Sequence, residues 1–286
     1  MNPPRFVFFG TPCFAVTILE ALSQKGYVPA LIITGEDKPK GRGLVLTPPP
    51  VKMWGEAHHI PVIQPRSLKE TLPKELTDTS WDVCIVCAYG AILPKNLLAL
   101  PQHGVINVHP SLLPRFRGPS PIESQILSDE KKVGVSIMQI DEEVDHGPII
   151  SQEVVGTPEW PMRGSELEKL LGEKGGALLG EVLPEYLSGT LPGTPQNHEC
   201  ATFTKKIKKE DGQLRLTDDP YQNFLKIRAF DEWPGTFFFA KNKDGKAIRA
   251  KITDARFTEG TLHIVSVIPE GKREMPYTDF IRNYSL

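Results

Sequence analysis

From residue 5 to residue 110, short apolar runs alternate with segments that carry apolar residues on one helical face. RFVFFG, YVPALIIT and WDVCIVCAYG are runs typical of buried strands, and PCFAVTILEALSQKG has the spacing of an amphipathic helix. Strands that alternate with helices predict a parallel sheet with helices on both faces, and right-handed crossovers make it Rossmann-like. We therefore predict an α/β fold with a mainly parallel sheet, whose ligands bind beyond the carboxyl ends of the strands.

Three longer segments complete this pattern. SLKETLPKELTD and RGSELEKLLGEKGGALLGEVLPEYLSG predict helices, the second of them long in spite of its glycines. GEDKPKGRGLVLTPPPVK is too polar and too rich in Gly and Pro to predict a helix or a strand. We expect a long loop there, and long loops are often functional.

The pattern changes after residue 189. TLPGTPQNHECATF lacks apolar periodicity and predicts a linker, whereas TDDPYQNFLKIRAF begins with a helix N-terminal signal. TFFFAK, AIRAKITDARF and TLHIVSVI are strand-like runs separated by turns that contain Gly or Asn. We predict an α/β domain over 1–189, a linker over 190–204 and a small β-rich, OB-like domain over 205–286.

Charge is distributed unevenly between these domains. The net charge of −2 argues against a surface that is uniformly adapted to nucleic acid. From residue 205 onward there are 16 Lys and Arg against 12 Asp and Glu, whereas the first 204 residues carry 17 against 23. The basic part begins with a lysine cluster that is either a solvated surface or a contact with nucleic-acid phosphates. Its members are Lys205, Lys206, Lys208 and Lys209.

The N-terminus and the cysteines bear on the compartment. MNPPRFVFFG contains neither a signal-peptide pattern nor a membrane-spanning apolar stretch, which favours a cytoplasmic location without membrane association. Cys84 and Cys87 form a C-x-x-C, but they lie in a run typical of a buried strand, and no second pair completes a zinc site. We predict buried thiols, no metal and no disulfide.

The stretch VINVHPSLLPRFRG combines an apolar strand with two polar residues at its end. Asn107 and His109 alternate, so in a strand they point the same way. A histidine can transfer a proton or carry charge, and an asparagine can donate to a developing oxyanion. The alternative is that both only hydrogen-bond the following turn. A nearby carboxylate would fix the imidazole, and periodicity leaves open which acid of DEEVDHG supplies it: Asp141, Glu142, Glu143 or Asp145.

Other catalytic motifs are missing from the sequence. There is no G-x-S-x-G, no phosphate-binding G-x-x-x-x-G-K-[ST], and Gly41 and Gly43 do not make a dinucleotide fingerprint. Hydride and phosphate chemistry are therefore disfavoured.

NVHPSLLPRFRG followed by DEEVDHG resembles the folate-dependent formyltransferase family. FFGTPCFA, DKPKGRG with the downstream TPPPVK, and IRAFDEWPG resemble the branch that acts on methionyl-tRNA, and the resemblance covers nearly the whole chain. It implies transfer of a formyl group from the co-substrate 10-formyltetrahydrofolate to the α-amino group of initiator methionyl-tRNA, without a metal. It also implies a Rossmann-like formyltransferase core and a monomer.

The resemblance further implies roles for particular residues. Asn107, His109 and Asp145 would be catalytic, and Ser111, Leu112, Leu113 and Pro114 would hold the folate. The loop around Arg42 would approach the tRNA acceptor end, and the second domain, with its lysine cluster, would bind tRNA. The chain departs from the family after KITDARF, where relatives have an additional Gly-rich strand pair. We therefore expect a shortened second domain.

Two alternatives remain open at this stage. A formyltransferase acting on glycinamide ribonucleotide would have a Gly/Ser-rich phosphate loop where this chain has GTPCFA, and enzymes acting on amino sugar nucleotides usually lack the GRG loop joined to a basic domain. A non-catalytic RNA-binding relative would not need an intact Asn107, His109 and Asp145.

Overall fold

A seven-stranded sheet and a four-stranded sheet each lie within one of two structural units. The computed structural model describes residues 3–41 and 43–286. The first unit runs to Pro119 and includes Val133–Val155 and Glu168–Phe203, and the second comprises Ser120–Lys132, Gly156–Leu167 and Thr204–Leu286.

Strands and helices are numbered in chain order. The strands are β1 (Phe6–Gly10), β2 (Leu31–Ile33), β3 (Lys38–Lys40), β4 (Val45–Thr47), β5 (Val62–Ile63), β6 (Val83–Cys87), β7 (Val105–His109), β8 (Val133–Gln139), β9 (Ile149–Val155), β10 (Thr236–Lys241), β11 (Ala247–Thr258), β12 (Thr261–Pro269) and β13 (Met275–Pro276). The α-helices are α1 (Cys13–Gln24), α2 (Pro50–Ala57), α3 (Lys74–Thr77), α4 (Lys95–Leu98), α5 (Pro121–Leu127), α6 (Gly164–Leu187), α7 (Pro220–Ala229) and α8 (Tyr277–Asn283).

The larger sheet has the order β5-β2-β1-β6-β7-β8-β9. The first five of these strands are parallel, which confirms the predicted α/β fold with a mainly parallel sheet. β8 and β9 run antiparallel to their neighbours. The connection between them, residues 140–148, is too short for a helical crossover, so an antiparallel pair is the arrangement it permits.

The central strands of this sheet are buried on both faces. Every residue of β1, β6 and β7 is buried. Val7 and Phe9 pack on one face with Ile33 and Leu97. Strands covered on both sides are apolar throughout, which explains why the sequence shows continuous runs there instead of alternation. Polar side chains on β7 are therefore exceptions that require a reason.

The long helix predicted from RGSELEKLLGEKGGALLGEVLPEYLSG is confirmed as α6. Its glycines are explained by close packing. A Cβ on Gly176 would lie 2.6 Å from the Ala21 side chain of α1, and a Cβ on Gly175 would lie 2.7 Å from Val108 of β7. The helix can approach α1 and β7 closely because these positions have no side chain.

Two segments differ from the predictions made from periodicity. In SLKETLPKELTD only Lys74–Thr77 is helical, because Pro73 disfavours helical geometry at Leu72 and so prevents a longer helix. The predicted irregular loop contains a hairpin in which β3 and β4 pair antiparallel. Pro39 is compatible with a two-stranded hairpin, because every strand there is an edge strand.

The second unit contains an antiparallel sheet of order β10-β11-β12-β13. It confirms the predicted β-rich C-terminal part, and its strands pair in sequence order. A two-residue turn at Glu259 and Gly260, with φ of 51° and 75°, joins β11 to β12. Positive φ at both positions is what a tight hairpin turn requires. None of the helices among residues 3–41 and 43–286 is both long and apolar enough to cross a membrane.

Candidate active site

β7 ends with two polar side chains on one face of the strand. Asn107 and His109 are two residues apart, so they point the same way. Only 9% of Asn107 and 4% of His109 are exposed. His109 pairs with Ser136 of β8 at the end of the strand. The strand therefore brings an amide and an imidazole together at the carboxyl edge, where ligands bind in open α/β sheets.

Hydrogen bonding fixes the orientation of the His109 ring. Nε2 lies 2.9 Å from the backbone oxygen of Phe116. A carbonyl oxygen only accepts, so Nε2 must carry a proton and donate it. Nδ1 is then the nitrogen that remains for other partners, and it lies 3.7 Å from Oδ2 of Asp145.

Asp145 is held in the loop between β8 and β9. Its Oδ2 accepts a hydrogen bond of 2.6 Å from the backbone N–H of Gly118. Its backbone has a φ of 49°, in the left-handed region that Asp tolerates better than most residues. The same oxygen thus faces both a backbone donor and the His109 ring.

The other acids of DEEVDHG are directed elsewhere. Oδ2 of Asp141 lies 2.6 Å from Nδ1 of His146, and Glu142 forms an ion pair of 2.7 Å with Lys95. The structure therefore places Asp145 against His109, which the sequence pattern alone left open.

The Asn107 side chain differs from His109 in its hydrogen bonding. Among the described residues, its amide has no hydrogen-bond partner. The residue keeps 9% of its surface exposed, so the amide stays open to solvent or to a ligand at the strand end. Its two N–H donors remain available for an oxygen atom of a ligand. The interpretation that Asn107 merely braces the following turn has no contact to support it.

Comparison with known proteins identifies the family of the chain. Family models described as formyl transferase and as formyl transferase, C-terminal domain, match residues 4–178 and 206–261. The chain is 40% identical over 304 aligned residues to the methionyl-tRNA formyltransferase of Myxococcus xanthus, covering 100% of this chain and 97% of the relative. It is 37% identical over 301 residues to the methionyl-tRNA formyltransferase of Thermus thermophilus, covering 99% and 97%.

The chain belongs to the formyl transferase family. Within it, the full-length similarity is to methionyl-tRNA formyltransferases. The fold is also that of a crystal structure of the N-formyltransferase from Helicobacter canadensis in complex with folinic acid and dTDP-3-aminofucose. That structure has a TM-score of 0.66 and 18% identity, and the match covers 89% of this chain and 88% of that one.

The formyltransferase loop SLLP lies directly after β7. Ser111 is fully buried, and its hydroxyl donates to the backbone oxygen of Arg115 at 2.7 Å. The backbone N–H of Leu113 donates to Ser136 Oγ at 3.1 Å. These two residues shape the loop from inside, whereas Leu112 and Pro114 are only partly buried. Leu112 and Pro114 are therefore the members of the predicted folate set with surface to offer a ligand.

Arg117 of the same family motif has a bracing position. Only 2% of the residue is exposed. Its Nε and Nη2 donate to Oε1 of Gln196 at 3.1 and 2.6 Å. Its backbone N–H donates to the oxygen of Thr202 at 2.8 Å. These contacts explain the burial of Arg117 by a bracing role in the loop.

The segment predicted to be a linker takes part in this site. Thr202 makes two hydrogen bonds to the chain at and just after SLLP. Its N–H donates to the oxygen of Pro114, and its hydroxyl accepts from the N–H of Phe116 at 2.8 Å. Thr194 exchanges backbone hydrogen bonds of 2.7 and 2.8 Å with Ile149 of β9. Sequence reasoning missed Gln196 and its neighbours, because the segment has no apolar period to reveal its packing.

Arg42 lies outside the described residues, but the hairpin on either side of it is described. The start of this hairpin is fixed by Asp37, whose carboxylate accepts hydrogen bonds from Lys52 Nζ at 2.9 and 3.0 Å. Gln64 donates to the same carboxylate at 2.7 Å. The hydrogen bond from Gln64, followed by that from Lys52, lowers the pKa of Asp37 below its usual range. The predicted contact of Arg42 with the tRNA acceptor end stays a prediction.

The lysine cluster lies in the second unit, and all four of its side chains are exposed. No ion pair joins any of them to a carboxylate among the residues that the structure describes. Their charges are therefore available to an anionic partner.

Cys84 and Cys87 lie on β6 as buried free thiols, which confirms the strand interpretation of the C-x-x-C. Burial raises the pKa of Cys84 to about 12 and also raises the pKa of Cys87.

Proposed function

We propose that the protein transfers a formyl group from 10-formyltetrahydrofolate to the α-amino group of initiator methionyl-tRNA. Full-length similarity to methionyl-tRNA formyltransferases supports the reaction. The observation that carries the assignment of residues is the 3.7 Å approach of the His109 imidazole to the Asp145 carboxylate at the carboxyl end of β7, where Asn107 lies on the same face of the strand as His109.

The reaction forms one C–N bond and breaks another. The neutral amine of methionine attacks the formyl carbon, whose oxygen becomes an oxyanion. Collapse of this intermediate breaks the bond to N10 of the folate. The amine loses a proton and N10 gains one, so tetrahydrofolate leaves neutral at that nitrogen. The site must therefore stabilise negative charge on oxygen and move a proton.

Asn107 and His109 are suited to the oxyanion. Nε2 of His109 is occupied by the Phe116 carbonyl, so donation to the oxyanion comes from Nδ1 of the protonated ring. The 3.7 Å between Nδ1 and Asp145 is longer than a hydrogen bond. The Nδ1 proton thus remains available, while the carboxylate is close enough to attract a positive charge on the ring. The unpartnered Asn107 amide supplies a second donor, and Asp145 assists proton movement from the amine toward N10.

Substrate binding is assigned to three regions. The SLLP loop, with Leu112 and Pro114 at its surface, holds the folate. Arg42 contacts the acceptor end of tRNA, and its planar donor fork suits phosphates and base edges. The exposed lysine cluster binds tRNA phosphates.

A substrate panel tests this function. The enzyme is incubated with 10-formyltetrahydrofolate and, in separate reactions, initiator methionyl-tRNA, elongator methionyl-tRNA, glycinamide ribonucleotide or an amino sugar nucleotide. We expect efficient formylation of the initiator tRNA alone. Faster turnover of the sugar nucleotide or the ribonucleotide would replace the proposal with the corresponding small-molecule enzyme. Binding of tRNA without transfer to any acceptor would indicate a non-catalytic RNA-binding protein.

A further inference from the structure

The loop that presents Asp145 is anchored by a side chain outside the loop. Nε2 of Gln196 donates to the backbone oxygens of Asp145 and Gly147 at 2.9 and 2.8 Å. One carbonyl belongs to Asp145, whose φ is 49°, and the other belongs to the second residue after it. A non-glycine residue persists in the left-handed region when its surroundings hold it there. One amide thus fixes the backbone at Asp145 and directly after it.

The orientation of the Gln196 amide is determined by its partners. Oε1 accepts from Nε and Nη2 of Arg117, and a guanidinium can only donate. The amide nitrogen must therefore face the loop, where carbonyl oxygens can only accept. Both residues are buried, with 6% of Gln196 and 2% of Arg117 exposed. All four hydrogen bonds of this amide go to Arg117 and to the Asp145 loop.

Arg117 links this amide to the carboxylate of Asp145. Its chain neighbour Gly118 donates the 2.6 Å hydrogen bond to Oδ2 of Asp145. On its other side, Nη2 of Arg117 lies 2.9 Å from Nδ1 of His198, which must be unprotonated to accept. The His198 ring stacks on His146 with centroids 4.0 Å apart. Arg117 is thus held from two directions, and the N–H that orients Asp145 follows it directly in the chain.

We propose that Gln196 is a positioning residue for formyl transfer. Its amide couples Arg117 to the backbone of Asp145 and so sets the position of the Asp145 carboxylate relative to His109. This rests on the proposed function of Asp145. Gln196 makes no contact with reacting atoms, because its four hydrogen bonds are all accounted for within the loop and Arg117.

Two substitutions test the amide. Gln196→Glu keeps an oxygen acceptor for Arg117 but replaces the N–H donor with an oxygen that faces the two carbonyls. Gln196→Met removes all four hydrogen bonds and has a side chain of similar length. We expect single-turnover formylation at saturating substrate to fall about tenfold to a hundredfold in both, since misplacing a catalytic group by about 1 Å can cost that much. Dissociation constants for tRNA and folate should stay within about threefold, because no ligand contact changes.

The matched control is Glu199→Gln, an exposed position three residues along the same segment. Its rate should equal that of the wild type. If Gln196→Glu does not fold, Gln196→Met alone decides. A wild-type rate in either folded Gln196 variant would overturn the proposal.

A double-mutant cycle tests whether Gln196 acts through Asp145. In an Asp145→Asn background, Gln196→Met should lower the single-turnover rate by less than a further factor of about three, because the effects of coupled residues are not additive. A full additional loss would show that Gln196 acts elsewhere and would overturn the proposal.

Hydrogen exchange at the Gly118 amide gives a readout that does not depend on activity. That amide is hydrogen-bonded to Asp145 and should exchange faster in Gln196→Met but not in Glu199→Gln. If Asp145→Asn itself leaves the rate intact, the proposed role of Asp145 fails. Unchanged exchange at Gly118 in Gln196→Met would then still refute the coupling by itself.

Discussion

Asp145→Asn removes the negative charge that faces His109 and leaves a side chain of nearly the same shape. The Asn oxygen can still accept from the Gly118 N–H, which the wild-type carboxylate does at 2.6 Å. The loop conformation should therefore survive. What changes is the electrostatic support for a protonated imidazole, so the substitution tests charge separately from geometry.

The magnitude follows from the distance and the burial. Nδ1 of His109 and Oδ2 of Asp145 are 3.7 Å apart, and the side chains are 5% and 18% exposed. At that separation two unit charges attract by about 1 kcal/mol in water and about 4.5 kcal/mol at an effective dielectric constant of about 20. The low exposure places the pair nearer the second value. Since about 1.4 kcal/mol is tenfold in rate, we expect formyl transfer to fall about tenfold at least and up to about a thousandfold.

The assay is single-turnover formylation of initiator methionyl-tRNA at pH 7 with both substrates saturating, so that binding does not limit the rate. Glu142→Gln is the matched control, because the substitution removes a negative charge from the same loop. In the wild type this carboxylate pairs with Lys95 and not with His109. The rate of the control should be unchanged. A rate for Asp145→Asn within threefold of wild type, with normal folding, would refute the electrostatic role.

Three further outcomes follow from the structure. Asn107→Ala and His109→Ala should each lower the single-turnover rate by about 100-fold to 1000-fold without weakening tRNA binding, because each removes an oxyanion donor, and a near-normal rate in either would contradict the mechanism. Replacing the lysines of residues 205–209 by Gln should weaken tRNA binding and flatten its salt dependence, and an unchanged log-log salt slope would contradict the phosphate contact. In native protein the buried thiols of Cys84 and Cys87 should resist alkylation until denaturant is added, whereas the two exposed thiols react; rapid modification of all four would contradict the burial.

The parts of the site that follow from local periodicity could be predicted from the sequence. A strand of alternating residues necessarily puts Asn107 and His109 on one face, and a parallel sheet puts the end of that strand at the ligand-binding edge. The buried run around Cys84 was likewise predictable, because strands covered on both faces are apolar throughout. In each case the pattern of residues along the strand reflects directly which of its faces are buried.

The position of Asp145 could not be obtained in this way. DEEVDHG contains four acids, and the one that faces His109 depends on a left-handed backbone at residue 145. That conformation is stabilised by contacts distant in the chain, since Gln196 is 51 residues from Asp145 and 79 from Arg117. Among the features of the sequence, only the family resemblance distinguishes Asp145 from the other acids.

The segment from Thr194 to Phe203 shows why periodicity misses such contacts. It is ordered mainly by polar groups satisfied one at a time: Thr194 with Ile149, Gln196 with Arg117, and Thr202 with the SLLP loop. A helix or strand that buries an apolar face must repeat its apolar residues, whereas a segment that is fixed by individual hydrogen bonds need not repeat anything. Apolar periodicity therefore distinguishes amphipathic helices and strands from other segments. Its absence does not distinguish a linker from a polar segment that completes a site. A buried Gln beside a motif arginine is the kind of feature that distinguishes the two, because burial of an amide is costly unless every donor and acceptor has a partner.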